Sequence, residues 1–257
     1  MESNLLKSLG RHVAGIASII LGITAWQALL SFGLVNANFL PTPLDVFKSL
    51  VELIQDGTFI GDIFSSITRV FLGFLGGAII GLIIAALNAY SGISTRITTP
   101  WIEIIRPIPP LAWIPIAILF FGLGDKPAIF LVSLGSFFPI YTNTYQAIKN
   151  IPDKYLHTAK VLGANTKLLL LDIIIPSILP RVITGLKIGL GISWMIVITA
   201  ELVGATSGLG YFIELNRLLL RVDNVIVGML VIGAIGYAMN TLISFVEKRF
   251  FHYQVAV

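Results

Sequence analysis

Long apolar runs separated by short polar breaks dominate the chain. A helix rises ~1.5 Å per residue and a bilayer core is ~30 Å thick, so about 20 apolar residues make one crossing. On that measure the pattern predicts about six spans: 13–35, 70–89, 97–121, 128–148, 182–203 and 225–245. The first is longer than the ~7–15-residue core of a signal peptide and reads as an uncleaved span. The third is interrupted by Pro107, Pro109, Pro110 and Pro115, each of which removes a helix hydrogen bond. Pro139 lies inside the fourth.

Two segments between spans are longer than a turn needs. Residues 36–66 open on Leu40-Pro41-Thr42-Pro43 and continue with apolar positions 46, 47, 50, 51, 53 and 54. That spacing predicts an amphipathic helix, lying along the membrane surface or packed on the bundle. Residues 149–181 carry a helix start at Pro152-Asp153 and a helix stop at Gly163. A short apolar piece from Leu168 to Leu179 follows, preceded by Lys167 and interrupted by Asp172 and two prolines, which argues against its spanning. The segment reads as helix, sharp turn, second helix and return to the membrane. A folded projection of that kind is a docking surface.

Composition confirms the solvent. The 257 residues are 56% hydrophobic and 12% charged, with mean hydropathy +0.92. Soluble domains carry about 25% charged residues, so this chain lacks the polar surface to coat a globule in water. The fold class is all-α, a polytopic membrane protein. Lys7, Arg11, Arg96, Lys149, Lys154, Lys160, Lys167, Arg181, Lys248 and Arg249 fall on one side of the predicted spans. Lys48, Arg69, Lys126, Arg217 and Arg221 fall on the other. The basic excess predicts that both termini and 149–181 are cytoplasmic, with 36–66 outside. The net charge of +4 is spread over these loops and makes no nucleic-acid patch.

Several chemistries are excluded. There is no cysteine, and His12, His157 and His252 form no ligand spacing. No paired carboxylates or nucleophile–base set mark an enzyme. No G-x-x-x-x-G-K-[ST] loop is present, so ATP would have to be bound by another polypeptide.

The remaining polar positions near the spans are candidates for a path or gate: Arg106, Trp113, Trp194, Glu201, Thr206 and Ser207. Arg106 reads either as an interfacial arginine or as an anion contact. Trp113 and Trp194 read as core or path-lining residues. Glu201 is expected to pair with Arg217 or Arg221, and the stretch from Gly204 to Gly210 to form a gate or a protein contact. Gly73, Gly77 and Gly81, with Gly185 and Gly189, predict close helix packing within the chain or between two chains.

The 149–181 segment resembles the cytoplasmic signature of ABC importer permeases: Glu-Ala-Ala, three residues, Gly, nine residues, Ile, one residue, Leu-Pro. Here His157-Thr158-Ala159 precede Gly163, Ile173 and Ile175-Pro176 at that spacing. His157, Thr158 and Ile175 depart from it. Four further stretches are similar to the nitrate, taurine, alkanesulfonate and bicarbonate branch: Leu40 to Pro43, Arg106 to Pro115, Phe121-Gly122-Leu123-Gly124-Asp125 and Glu201 to Gly210. The resemblance covers roughly residues 36–250. It implies a type I (MetI-like) importer permease, one transmembrane domain over 1–257 in a bacterial inner membrane. It also implies a second copy of the chain, two cytoplasmic ATPases holding ATP and Mg, and a periplasmic or lipid-anchored binding protein. His157, Thr158, Ala159, Lys160, Gly163, Ala164 and Pro176 would then be the ATPase-coupling residues. The cargo would be a small anion moved by alternating access. A secondary transporter or channel is the alternative, and it leaves the structured 149–181 segment without a role.

Overall fold

Every regular element of the computed structural model is helical among the described residues, 2–34 and 39–250. The helices are α1 (Glu2–Ser31), α2 (Pro43–Asp56), α3 (Thr58–Tyr90), α4 (Gly92–Ile105), α5 (Ile114–Phe121), α6 (Asp125–Lys149), α7 (Asp153–Val161), α8 (Thr166–Leu168), α9 (Ile175–Gly204), α10 (Leu209–Leu218) and α11 (Val222–Phe250). The expected end of the first span at Val35, the start of the 36–66 loop and His252 lie outside the described residues.

The chain forms two compact units. The smaller takes the segment up to Phe59 together with Ile213–Val231. Its α2 is the expected amphipathic helix. The Thr42 hydroxyl accepts the Asp45 N–H at 3.1 Å and the Asp45 carboxylate accepts the Thr42 N–H at 3.3 Å, a closed capping box. These bonds also hold the Asp45 carboxyl below its ordinary range, the Thr42 side chain contributing most. Gly57, at φ +77°, ends the helix. Val46 and Ser49 face inward, and the Ser49 hydroxyl donates to Asn224, whose amide donates to Asn216. Leu44, Phe47, Val51 and Ile54 form a separate exposed stripe.

The larger unit takes Ile60–Phe212 and the chain from Ile232 onward. Its centre is α6, which receives a glycine row from each side. A Cβ on Gly73 would stand 2.6 Å from Val132, and one on Gly77 would overlap Ser136 and the Ser133 carbonyl. Gly81 faces the backbone of Phe137 and Tyr141. Gly185 and Gly189 meet Asn143, Ile140 and the Ser136 carbonyl from the other flank. All five glycines therefore serve contacts within the chain, where the missing side chains let backbones approach.

The expected spans fall on helices of unequal character. By length and apolarity three described helices can cross a bilayer: Thr58–Tyr90, Thr166–Gly204 and Val222–Phe245. A fourth follows if Gly92–Ile105 and Pro110–Phe121 count as one. That pair is bent by 91°, so the expected third span is a broken one. The cause is the proline run: Pro107, Pro109 and Pro110 cannot donate, and a 3₁₀ turn at Pro110–Trp113 takes up the corner. α6 has the length of the expected fourth span, but Tyr141 to Gln146 add a polar run. The first expected span lies in α1, a 30-residue helix whose apolar part includes Ala17–Ser31. The 168–179 piece is not a separate helix: α8, a π-turn at Leu169–Ile174 and α9 run on as one 39-residue helix. Pro176, which has no N–H to donate, directly follows the π-turn, where the regular α-helical ladder is already interrupted.

Candidate functional site: a coupling turn and a buried charge cluster

Two features of the larger unit stand at opposite ends of α9. The first is the turn between α7 and α8. α7 starts after Pro152 as expected, and Asp153 favours its N-terminus. Its end is a Schellman motif: the Gly163 N–H donates to Lys160 O at 3.0 Å and the Ala164 N–H to Ala159 O at 2.9 Å. The motif needs a left-handed residue, and Gly163 has φ +84° with open space around it. A β-carbon is excluded there by backbone conformation, not by a neighbour in this chain. Asn165 then caps the next turn, accepting the Leu168 N–H at 2.9 Å. Ala159 is buried under the turn, while His157, Thr158, Lys160 and Pro176 are exposed and Ala164 is half-buried. Val161 and Leu162 are 87% and 81% exposed, so the projection ends in an uncovered apolar tip.

The second feature is a charge cluster near Gly204. Arg69 of α3 is 2% exposed and Glu201 of α9 is 1% exposed. Arg69 Nη1 donates to Glu201 Oε1 at 2.6 Å and to the Ser207 carbonyl at 2.7 Å. Nη2 donates to Asp125 Oδ1 and Ser207 Oγ, each at 2.6 Å, and Nε to Asp125 Oδ1 at 2.8 Å. All five guanidinium donors are used. The Glu201 carboxylate also accepts Ser66 Oγ at 2.8 Å and the Gly210 N–H at 2.9 Å. Ser66 in turn accepts the Leu209 N–H, and Asp62 accepts the Gly208 N–H at 2.7 Å. The loop from Ala205 to Gly208 is thereby strapped over the ion pair.

Two glycines make the strap possible. Gly208 has φ +106°, and a Cβ there would overlap the Glu201 carboxyl and Arg69. A Cβ on Gly210 would stand 2.7 Å from that of Glu201 and overlap the Ile198 carbonyl. Gly208→Ala is expected to open the cluster, visible as protease cleavage within 205–208 at least about tenfold faster than in the parent; a roughly 1.4 kcal/mol penalty suffices for that. An unchanged cleavage rate would show that the strap does not depend on this contact.

The expected partner of Glu201 was Arg217 or Arg221. The structure replaces both with Arg69. Arg217 pairs instead with Glu214, three residues earlier in α10. Of the other candidates, Ser207 joins the cluster through both oxygens, and Thr206 is exposed beside it. Arg106 is exposed at the C-terminus of α4 and takes no part in the ion pairs of the cluster. Trp113 lies half-buried in the 3₁₀ turn. Trp194 is buried, and its Nε1 donates to the Ile232 carbonyl at 3.1 Å. Sequence reasoning missed Arg69, Ser66, Asp62 and Asp125. Asp62, Ser66 and Arg69 are spaced four and three apart, one face of a helix. That polar row opening an apolar run was the available signal.

Comparison with known proteins gives a consistent picture. Residues 77–252 match the family described as binding-protein-dependent transport system inner membrane component. The putative aliphatic sulfonates transport permease protein SsuC of Bacillus subtilis is 34% identical over 88% of this chain and 82% of its own length. The nitrate import permease protein NrtB of Synechocystis is 30% identical over 88% of this chain and 84% of its own. Among solved structures, an inward-facing MetNI methionine ABC transporter superposes with TM-score 0.61 at 21% identity, covering 74% of this chain and 93% of that one. That likeness bears on the fold, the MetI-like permease architecture.

Proposed function

Because the chain belongs to the binding-protein-dependent transport system inner membrane component family, we propose that it forms the path for a small anion through an importer driven by separate ATPase subunits. It is a multi-pass membrane transport subunit of an ABC transporter, and it is not the ATP-hydrolysing chain. Two copies of the chain pack together in the membrane with their termini in the cytoplasm. Each offers the turn from His157 to Ala164, with Pro176 behind it, to one ATPase carrying ATP and Mg. A binding protein delivers nitrate, bicarbonate, taurine or another sulfonate from outside. Names of relatives support nitrate and aliphatic sulfonates as the leading cargoes.

The observation that carries this reading is the α7 turn. Val161 and Leu162 are exposed in a rigidly capped tip, flanked by His157 and Lys160. A soluble partner with an apolar groove and an acidic rim would cover it. Closure of the two ATPases would then move α7 as a rigid body. The motion would reach the far end of α9, about 45 Å away at 1.5 Å per residue over its 30 residues. There the Arg69–Glu201 cluster would hold the 205–208 strap as the outer gate, with Thr206 and Ser207 at its rim. Arg106 and Trp113 border the bent pair, whose irregular backbone suits a cavity wall.

The test is co-expression with the neighbouring ATPase and binding-protein genes, purification by a tag on this chain, and measurement of ATP hydrolysis. A copurifying ATPase stimulated by a binding protein loaded with nitrate, bicarbonate or taurine is the expected result. A stable complex without any ATPase would overturn the proposal.

A further inference from the structure

α9 and α11 enclose a second polar element, independent of the Arg69 cluster. A cavity of about 200 Å³ is lined by Lys187, Gly191 and Trp194 of α9 and by Gly236, Met239 and Asn240 of α11. Lys187 is the one ionisable residue between Val182 and Ala200. A charge inside a span is costly and is kept where it has work to do. Its ammonium lies 2.7 Å from Glu247 Oε2, and the two side chains are 26% and 36% exposed. The pair is partly exposed and not sealed in a core.

The walls are built to leave the space open. The Trp194 indole is fixed by its bond to the Ile232 carbonyl, and Gly236 admits the ring: a Cβ there would stand 3.1 Å from it. On the opposite wall a Cβ on Gly191 would meet nothing within 4 Å. The volume corresponds to about six waters at roughly 30 Å³ each, room for nitrate or a two-carbon sulfonate. Lys187 and the Asn240 amide are donors of the lining, and the indole and Met239 belong to its apolar part.

We infer that this cavity is an anion subsite in which the transported oxyanion exchanges with the Glu247 carboxylate on Lys187. Glu247 is a tethered placeholder: it neutralises Lys187 while the cavity is empty and swings aside when the anion enters. The exchange keeps the ammonium paired throughout, so no unpaired charge is left in the membrane at any step. The Asn240 amide and the apolar part of the lining favour a weakly hydrated oxyanion over a strongly hydrated one. The assignment rests on the proposed anion cargo, and the experiment separates the two.

The purified permease–ATPase complex is heated at constant ionic strength while nitrate or ethanesulfonate replaces gluconate. An anion that binds the folded state raises the midpoint of unfolding. The parent complex should show this rise. Lys187→Gln should lose it, and so should Gly191→Leu, which fills the cavity and leaves the ion pair untouched. Glu247→Gln should bring the half-effect concentration down about fivefold, the worth of one ion pair at this exposure. The exchanged pair, Lys187→Glu with Glu247→Lys, should restore the midpoint in gluconate without restoring the anion response; recovery of both would show that the response follows the stability of the bridge and would overturn the subsite. An anion response that persists in both Lys187→Gln and Gly191→Leu overturns the subsite. Uptake of labelled nitrate or taurine into proteoliposomes reports on the wider reading: with uptake present and the response unaffected by both Lys187→Gln and Gly191→Leu, the subsite alone falls. With no uptake of either, the anion cargo and the subsite fall together.

Discussion

Arg69→Met is expected to be among the most damaging single substitutions in the chain, with a loss of about 3–5 kcal/mol in stability. The cost does not come from the lost attraction. It comes from Glu201, left 1% exposed with its negative charge facing only Ser66 and the Gly210 N–H. Arg69→Lys should recover part of the loss, because an ammonium has three donors where the guanidinium uses five. The double variant Arg69→Met/Glu201→Met should be more stable than Arg69→Met alone, since it removes the stranded charge as well. The measurement is the fraction of detergent-solubilised protein that stays monodisperse after heating. If Arg69→Met survives heating like the parent, the cluster does not hold the fold, and its role as a strap fails with it.

The second large effect is expected at Gly163. Its φ of +84° lies where a β-carbon costs roughly 1–2 kcal/mol. Gly163→Leu pays that cost and adds a side chain beside Val161 and Leu162. The variant should insert normally, because Gly163 lies outside all three long apolar helices, the nearest of which begins at Thr166. It should lose at least about tenfold in transport or in ATPase copurification, the equivalent of the same 1.4 kcal/mol at the contact. Gly163→Asn is the control: asparagine tolerates the left-handed conformation and should keep most activity. Parent-like transport in Gly163→Leu would remove the turn from the coupling route.

Much of this was readable before the structure, and the reasons differ by residue. The α7 turn was legible because its signals are local: Pro152-Asp153 to start, Gly163 to stop, and a spacing to Pro176 that resembles a family signature. The glycine rows were legible as close packing but not as to partner; only the fold shows that both sides meet α6. The Arg69–Glu201 pair was not legible, because it closes over 132 positions of sequence. Glu201 was paired by proximity in sequence with Arg217 and Arg221, yet Arg217 is taken by Glu214 within its own helix. The bend in the third span was not legible for a similar reason. Hydropathy counts apolar residues, and it does not register that Pro107 to Pro110 turn the backbone through 91°.

The π-turn at Leu169–Ile174 has a consequence of its own. The Ile175 N–H reaches back five residues, to Leu170, where an α-helix would reach four. One residue is therefore held in surplus within a helix that otherwise runs unbroken from Thr166 to Gly204. Each residue of an α-helix turns the chain by about 100°. The surplus residue thus sets the bearing of the His157–Ala164 tip around the axis of α9. A chain lacking it would present the same tip, equally well folded, about a quarter-turn away around that axis.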